Sequence, residues 1–508
     1  MNKIYSGVLM GIESELVTLE INIKPTNYGT IFNIIGMSSK TIQDSRKKII
    51  TILRNHGIKL ENQEITINLA PGDIRKEGVA FDLPILIAIL LNYKKIKYDV
   101  DFFNETLFLG EVLFDGTIRP VKGTLSLALC AKIHGKKRIV IPKNNVNEAA
   151  LINGLEIIGI SNLDEIIPNV ITIKSININR SLSKTQKFEI DFSDIKGQGQ
   201  AKRLMQISAA GWHHSILVGP PGAGKSMLAQ RLITIMDPLI DNEIIECTKI
   251  YSASGNLKND SLINLRPYRA PHHTISSSGL IGGGNPPTAG EISLSHNGVL
   301  FLDELTEFRR NSIEALRQPI ESKHITITRN QQSIDLPASF LLVTALNPCP
   351  CGYLGDVNNK CTCSAQIILN YLNKLSGPLL DRIDLQLFIP ALHIDQIQAQ
   401  TGKEISSADL MEKIKVARSR QNKRLGIGKY NGLINNKQID KYCVLSPEIN
   451  DFFKKIYHKL NLSMRGYHKI LKICRTIADL EDKEDIALEH VKEALLYRNL
   501  DNQLNKLK

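Results

Sequence analysis

The sequence predicts a multidomain α/β protein in which a mixed α/β domain is followed by a phosphate-loop core on a parallel sheet and then by a helical lid. Three observations predict it. Gly219-Pro220-Pro221-Gly222-Ala223-Gly224-Lys225-Ser226 fits the phosphate-cradling pattern G-x-x-x-x-G-K-[ST] at every specified position. The run from Gly298 to Glu304 is apolar until it ends in Asp303-Glu304, as a buried parallel strand does when it delivers carboxylates to a sheet edge. Short β-rich runs alternate with amphipathic stretches ahead of the loop, whereas helical periodicity dominates after residue 391.

In chain order, residues 1–178 carry β-rich runs at 16–23, 65–69, 107–109 and 138–141, with helical stretches at 41–55 and 83–91. The polar stretch 177–187 reads as a linker. Residues 188–391 form the nucleotide-binding core, with strands expected around Leu217, Leu300, Leu342 and Leu385. Residues 392–508 form the lid, with helices at 410–424 and 466–480. Between the acidic pair and the strand expected around Leu342, 324–337 alternates apolar and polar residues about a polar turn and reads as a hairpin.

Composition narrows the class. A chain of 508 residues with 43% hydrophobic content suits two to four packed domains. The longest apolar run, 83–91, is too short to cross a bilayer and contains Pro84, and Glu13 and Glu15 stand where a signal peptide needs apolar residues. A cytoplasmic protein with no membrane partner is expected. Eight cysteines, half of them between Cys349 and Cys363, do not make a secreted disulfide framework. The net charge of +12 permits attraction to nucleic acid, but a chain rich in Lys, Asn and Ile throughout also carries such an excess as background.

The chemistry follows from the phosphate loop. A strand at 215–218 enters it and a helix at 227–236 leaves it, so loop N–H groups and the positive helix end face the phosphates. ATP and Mg²⁺ are the expected cofactors, and the expected activity is ATP hydrolysis. Lys225 reaches the β and γ phosphates, Ser226 and Asp303 hold Mg²⁺, and Glu304 polarises the attacking water. The Cys349-x-Cys351 and Cys361-x-Cys363 pairs offer four soft ligands for a structural Zn²⁺, with free thiols or a redox-sensitive disulfide as the alternatives.

Further residues resemble those of AAA+ ATPases. Phe340 to Asn347 reads as a buried strand ending in the polar amide of a sensor-1 residue, and Gly377-Pro-Leu-Leu-Asp381-Arg382-Ile-Asp384 resembles the segment bearing an arginine finger. Ser463-Met-Arg465-Gly466 resembles sensor 2, which implies that Arg465 lies over the phosphates from the lid. A surface ion pair is the plainer reading of either arginine. The resemblance narrows at Arg269-Ala-Pro-His-His273-Thr, Gly282-Gly-Gly284, Gly290-Glu-Ile-Ser293, Asn347-Pro-Cys-Pro-Cys-Gly352 and Ser463 to His468. On these motifs the chain is identified as a member of the Mg-chelatase-like AAA+ ATPases of the ComM (YifB) family. Adjacent His272 and His273 point different ways on a strand, which suits a loop or interface role better than coordination.

That resemblance implies a homo-oligomeric, hexameric ring in which Arg382 enters the neighbouring site. It implies a DNA motor, a helicase or branch-migration factor on single-stranded or branched DNA, that integrates incoming DNA during natural transformation. A chelatase-like or protein-remodelling ATPase is the alternative. In AAA+ helicases the hairpin projects into the pore, so Lys323 and Arg329 are candidate DNA contacts, with a charged sheet edge as the competing reading. Residues 1–178 resemble a Lon-protease-like domain through Gly78-Val-Ala80-Phe-Asp-Leu-Pro84, Leu109-Gly-Glu111-Val and Arg119-Pro-Val-Lys122-Gly123. Ala80 falls where the nucleophilic Ser belongs and Leu125 near the Lys base, so a scaffold for unidentified protein partners is expected instead of a protease.

Overall fold

The computed structural model describes residues 3–36, 39–60, 62–72, 76, 80–97, 99–167, 188–257, 262–284, 287–329, 332–356, 359–391, 404–459 and 462–498. The linker expected at 177–187 lies outside them. Two compact units emerge, one made of residues 1–182 and 241–263, the other of residues 183–240 and 264–508.

The first unit begins with β1 (Lys3–Met10), β2 (Glu13–Pro25), β3 (Ile31–Ile35) and β4 (Gln63–Ala70), and continues with β5 (Thr106–Phe108), β6 (Glu111–Val112), β7 (Ile118–Arg119), β8 (Arg138–Pro142) and β9 (Glu156–Ile160). Seven of these form a mixed sheet in the order β3-β4-β2-β1-β5-β8-β9. Alternation along β2 puts Val17, Leu19 and Ile21 into the core, as period-2 patterning requires. The helix Asp82–Asn92 is apolar all round, and nearly every one of its residues is buried.

Residues 241–263 are a finding that sequence order did not suggest. The helix Asp241–Ser254 packs against the helix Thr124–Ile133 of this unit. Ser252 Oγ accepts from the Gly123 N–H at 2.9 Å and bonds the Glu148 carboxylate, while Lys249 Nζ pairs with Glu13 at 2.7 Å.

The second unit holds β10 (Ser215–Val218), β11 (Tyr268–Arg269), β12 (Gly282–Gly283), β13 (Thr288–Ala289) and β14 (Val299–Leu302). After them come β15 (His324–Arg329), β16 (Gln332–Pro337), β17 (Leu341–Leu346) and β18 (Leu385–Phe388). Its main sheet is parallel throughout, in the order β11-β14-β17-β10-β18. Strands β10, β14, β17 and β18 fall on the four apolar runs expected around Leu217, Leu300, Leu342 and Leu385. All residues of β10, β14 and β17 are buried, which explains why their sequences are apolar but for Ser215 and Thr344. One hydrophobic cluster runs from Leu217, Phe301 and Val343 to Ile414, Ile470 and Ile477, so the C-terminal helices Ser407–Leu425 and Met464–Leu480 share the core of the sheet. The expected hairpin is present as antiparallel β15 and β16.

Candidate nucleotide site

The strand order positions the site. Because β17 lies between β10 and β14, the residue following β17 emerges between the phosphate loop and the acidic pair. The loop turns through Gly222 (φ 78°) and Gly224 (φ 86°), conformations that other residues reach only with strain. It opens into the helix Lys225–Arg231, which tightens into a 3₁₀ turn at Leu232–Ile235 where one continuous helix was expected.

The side chains converge on that edge. Ser226 Oγ donates to Asp303 Oδ2 at 2.6 Å, so the hydroxyl and carboxylate expected to hold Mg²⁺ already touch. Lys225 Nζ donates to the Gly219 and Pro220 carbonyls at 2.5 and 2.9 Å and to Asn347 Oδ1 at 3.2 Å. Burial pulls the Lys225 ammonium down to about 8, partly offset by the nearby Asp303 and Glu304 carboxylates. Hard oxygen donors from Ser226 and Asp303 fit Mg²⁺.

Glu304 has left-handed backbone angles (φ 51°, ψ 48°), an arrangement that costs a non-glycine residue about 1 kcal/mol. Its carboxylate lies 3.2 Å from His273 Nδ1. Sequence reasoning missed this contact, because His273 stands 31 positions upstream (304 − 273) on a segment with no strong periodicity. The only signal was the pair His272-His273, whose rings sit 4.1 Å apart. On the same segment Arg269 forms a two-point pair with Glu291 at 2.5 and 2.6 Å.

The two candidate arginines meet elsewhere. Arg382 Nη2 and Arg465 Nη2 lie 2.8 and 3.1 Å from the same oxygen of Glu321, and the Arg382 hydrogen bond holds that carboxyl below its usual range. With Lys323, Lys469 and Lys472 they line a cavity of about 320 Å³. Within this chain, then, Arg465 is beside Arg382 and paired with Glu321. A buried network lies next to them in the chain: Asp384 takes Lys469 Nζ at 2.5 Å and His213 Nδ1 at 3.2 Å, and His213 Nε2 reaches Thr476 Oγ1 at 2.8 Å. Burial alone would raise the Asp384 carboxyl, but Lys469 and His213 hold it far below its usual value.

Lys323 lies at the base of the β15–β16 hairpin, half-buried in the cavity, and burial lowers its ammonium. The Arg329 side chain lies outside the described residues. In the first unit Gly78 and Val79 are also outside them. Ala80 packs against the apolar cluster that buries Leu125, so neither position presents a polar group.

The four cysteines expected to form a cluster do so. Every Sγ of Cys349, Cys351, Cys361 and Cys363 is within 4.8 Å of the others, and none is bonded as a disulfide. Among the described residues no helix is long and apolar enough to cross a membrane.

A parallel sheet with a phosphate loop on β10, an acidic pair after β14 and an amide after the intervening β17 defines a phosphate-loop ATPase fold of the AAA+ kind. Residues 191–397 match the family described as magnesium chelatase, subunit ChlI; residues 19–145 match subunit ChlI of Mg-chelatase, and residues 404–498 its C-terminal part. The chain is 40% identical to competence protein ComM of Haemophilus influenzae, over 99% of this chain and 98% of that one. It is 36% identical to the protein YifB of Escherichia coli, over 99% and 97%. The chain belongs to the ComM/YifB family of magnesium-chelatase-like AAA+ proteins. Its first region is also similar to Lon protease 2 of Bacillus subtilis, 30% identical over 27% of this chain and 25% of that one.

Proposed function

We propose that this protein is an ATP-driven, ring-forming DNA motor that unwinds or branch-migrates DNA, with a role in integrating incoming DNA during natural transformation. The observation that carries the reading is the near-full-length likeness to a competence protein in a chain whose Ser226, Asp303, Lys225 and Asn347 converge on one sheet edge. Lys225 and the loop N–H groups bind the phosphates of ATP, and Ser226 and Asp303 supply the oxygens for Mg²⁺, which neutralises phosphate charge when bound. Glu304, held by His273, takes a proton from the attacking water, and Asn347 orients that water.

Arg382 serves the site of a neighbouring subunit in a homo-oligomeric, hexameric ring. Its position beside Arg465 on Glu321 favours presentation of the two guanidiniums together. The β15–β16 hairpin contacts DNA in the pore, with Lys323 and Arg329 as the candidate residues. The four-cysteine cluster holds a structural Zn²⁺, and the protein works in the cytoplasm. The first unit serves as a scaffold for protein partners.

A second reading, a chelatase-like or protein-remodelling motor, is favoured by the chelatase subunit to which all three matched segments are similar. Steady-state ATP hydrolysis with and without single-stranded and forked DNA, across a salt series, separates the two. The DNA motor predicts strong stimulation that fades as salt rises. Normal basal turnover with no response to DNA would sink it in favour of the second reading.

A further inference from the structure

The cysteine cluster has the dimensions of a mononuclear metal site. Around an ion with metal–sulfur bonds of about 2.3 Å, tetrahedral thiolates stand about 3.8 Å apart. Here Cys349 Sγ lies 3.3 Å from Cys351 Sγ and 3.7 Å from Cys361 Sγ, and Cys351 and Cys361 are 3.6 Å apart. These separations are far beyond a disulfide bond of about 2 Å. The apolar support around the thiols is small: Leu354 and Ile368 are buried beside Cys349, with Leu372 partly so. A loop with so little core needs a staple to hold its shape.

Its surroundings say what the staple acts on. Cys349 follows Asn347 by two residues. Gly352 turns back with φ 84°, and a Cβ there would fall 2.9 Å from Pro221 Cδ in the phosphate loop and 4.0 Å from Asn347 Cγ. The backbone of the cysteine loop thus lies directly on the phosphate loop. At its other end, Cys363 leads into the helix Ala365–Leu372, capped by Ser364. Tyr371 of that helix is hydrogen-bonded to the buried hydroxyl of Thr306, and Lys374 Nζ reaches the Thr306 carbonyl at 3.2 Å. Thr306 is two residues beyond Glu304. The loop and the helix that follows it therefore reach both sides of the nucleotide site.

We propose that one Zn²⁺ bound by Cys349, Cys351, Cys361 and Cys363 controls ATP hydrolysis, by fixing Asn347 and the phosphate-loop shoulder at Pro221 against the segment that carries Glu304. This inference rests on the Zn²⁺ assignment made above. The four cysteines are positioning residues, acting through Asn347 and Glu304. Loss of the metal loosens the alignment of the attacking water while Lys225 and the loop N–H groups keep their grip on phosphate.

The test uses the full chain. Bound metals are measured by elemental analysis, zinc is withdrawn with a thiol-directed mercurial and a chelator, and then Zn²⁺ is restored. Turnover, ATP affinity and thermal unfolding are followed at each stage. About one zinc per chain is expected. Removal is expected to lower kcat about tenfold or more while ATP affinity changes less than about threefold, because small misplacements near the chemistry cost rate more than binding. Restored Zn²⁺ recovers kcat. Cys361→Ser reports the same effect if it folds, and reversible demetallation of the unaltered protein decides if it does not. Stoichiometric zinc whose removal leaves kcat unchanged overturns the coupling and leaves the metal assignment standing. Iron or no metal in the purified protein overturns both. A fall in kcat that merely tracks global unfolding or an equal loss of ATP affinity also overturns the coupling.

Discussion

The first unit is built on a seven-stranded mixed sheet and the second on a five-stranded parallel one, and the difference lies at the sheet edges. In the second unit, β10, β14 and β17 run in the same direction, so the groups that follow them gather at one end: Lys225, Asp303, Glu304 and Asn347. In the first, antiparallel pairings of β2 with β1 and β4 send successive strand ends to opposite sides. Ala80 and Leu125, where the likeness to Lon proteases leads one to expect a serine and its lysine base, are packed among apolar residues. Shared strand direction gathers chemistry at one sheet edge.

The largest expected effect breaks the second unit's site from outside. Arg382→Ala should lower ATP turnover about a thousandfold, as loss of an arginine finger does. Mixed oligomers with a Lys225→Ala chain should regain part of it, and absence of any complementation would count against action on a neighbour. Next, Glu304→Gln should retain ATP binding but hydrolyse about a hundredfold more slowly. Unchanged turnover removes Glu304 from its role. His273→Ala should cost less, about tenfold in kcat with little change in ATP affinity, because it frees Glu304 without removing it; an equal loss in affinity would mean that His273 supports the fold instead.

A pH series sharpens the comparison further. Burial holds the Lys225 ammonium at about 8, below the usual lysine value, so it is charged below that pH and neutral above it. ATP affinity should be flat below pH 8 and weaken above it, by up to about tenfold per unit, as phosphate binding comes to require proton uptake. Affinity that stays constant to pH 9.5 would contradict phosphate binding by this ammonium. The smallest effect belongs to the first unit: Ala80→Ser should create no peptidase activity and leave ATP turnover unchanged, since Leu125 offers no base. Appearance of peptide cleavage would show that the base lies elsewhere, with Lys122 the first residue to test.

Much of the nucleotide site was legible in the sequence because its elements are local. The phosphate loop is contiguous, and the strand ending in Asp303-Glu304 declares itself through four buried apolar residues. The hairpin at 324–337 was legible through its alternation. What stayed hidden depends on which distant surface a segment meets. The helix Asp241–Ser254 follows the phosphate-loop helix in sequence, but nothing in its own residues names the helix Thr124–Ile133 on which it packs. Strand β11 has only two residues, too few for periodicity to register. Glu321 as a common partner of Arg382 and Arg465 joins residues 61 and 144 positions away (382 − 321 and 465 − 321), a pairing that only the folded chain creates.

The chain passes from one unit to the other three times, after residues 182, 240 and 263. A domain cut at residue 178 therefore lacks the helix whose Ser252 bonds Gly123 and Glu148, and exposes the face that helix covered. During synthesis the first unit cannot close until residue 263 has left the ribosome, by which time the phosphate loop has already emerged. The two units are thus stitched through covalent backbone on both sides of the inserted helix.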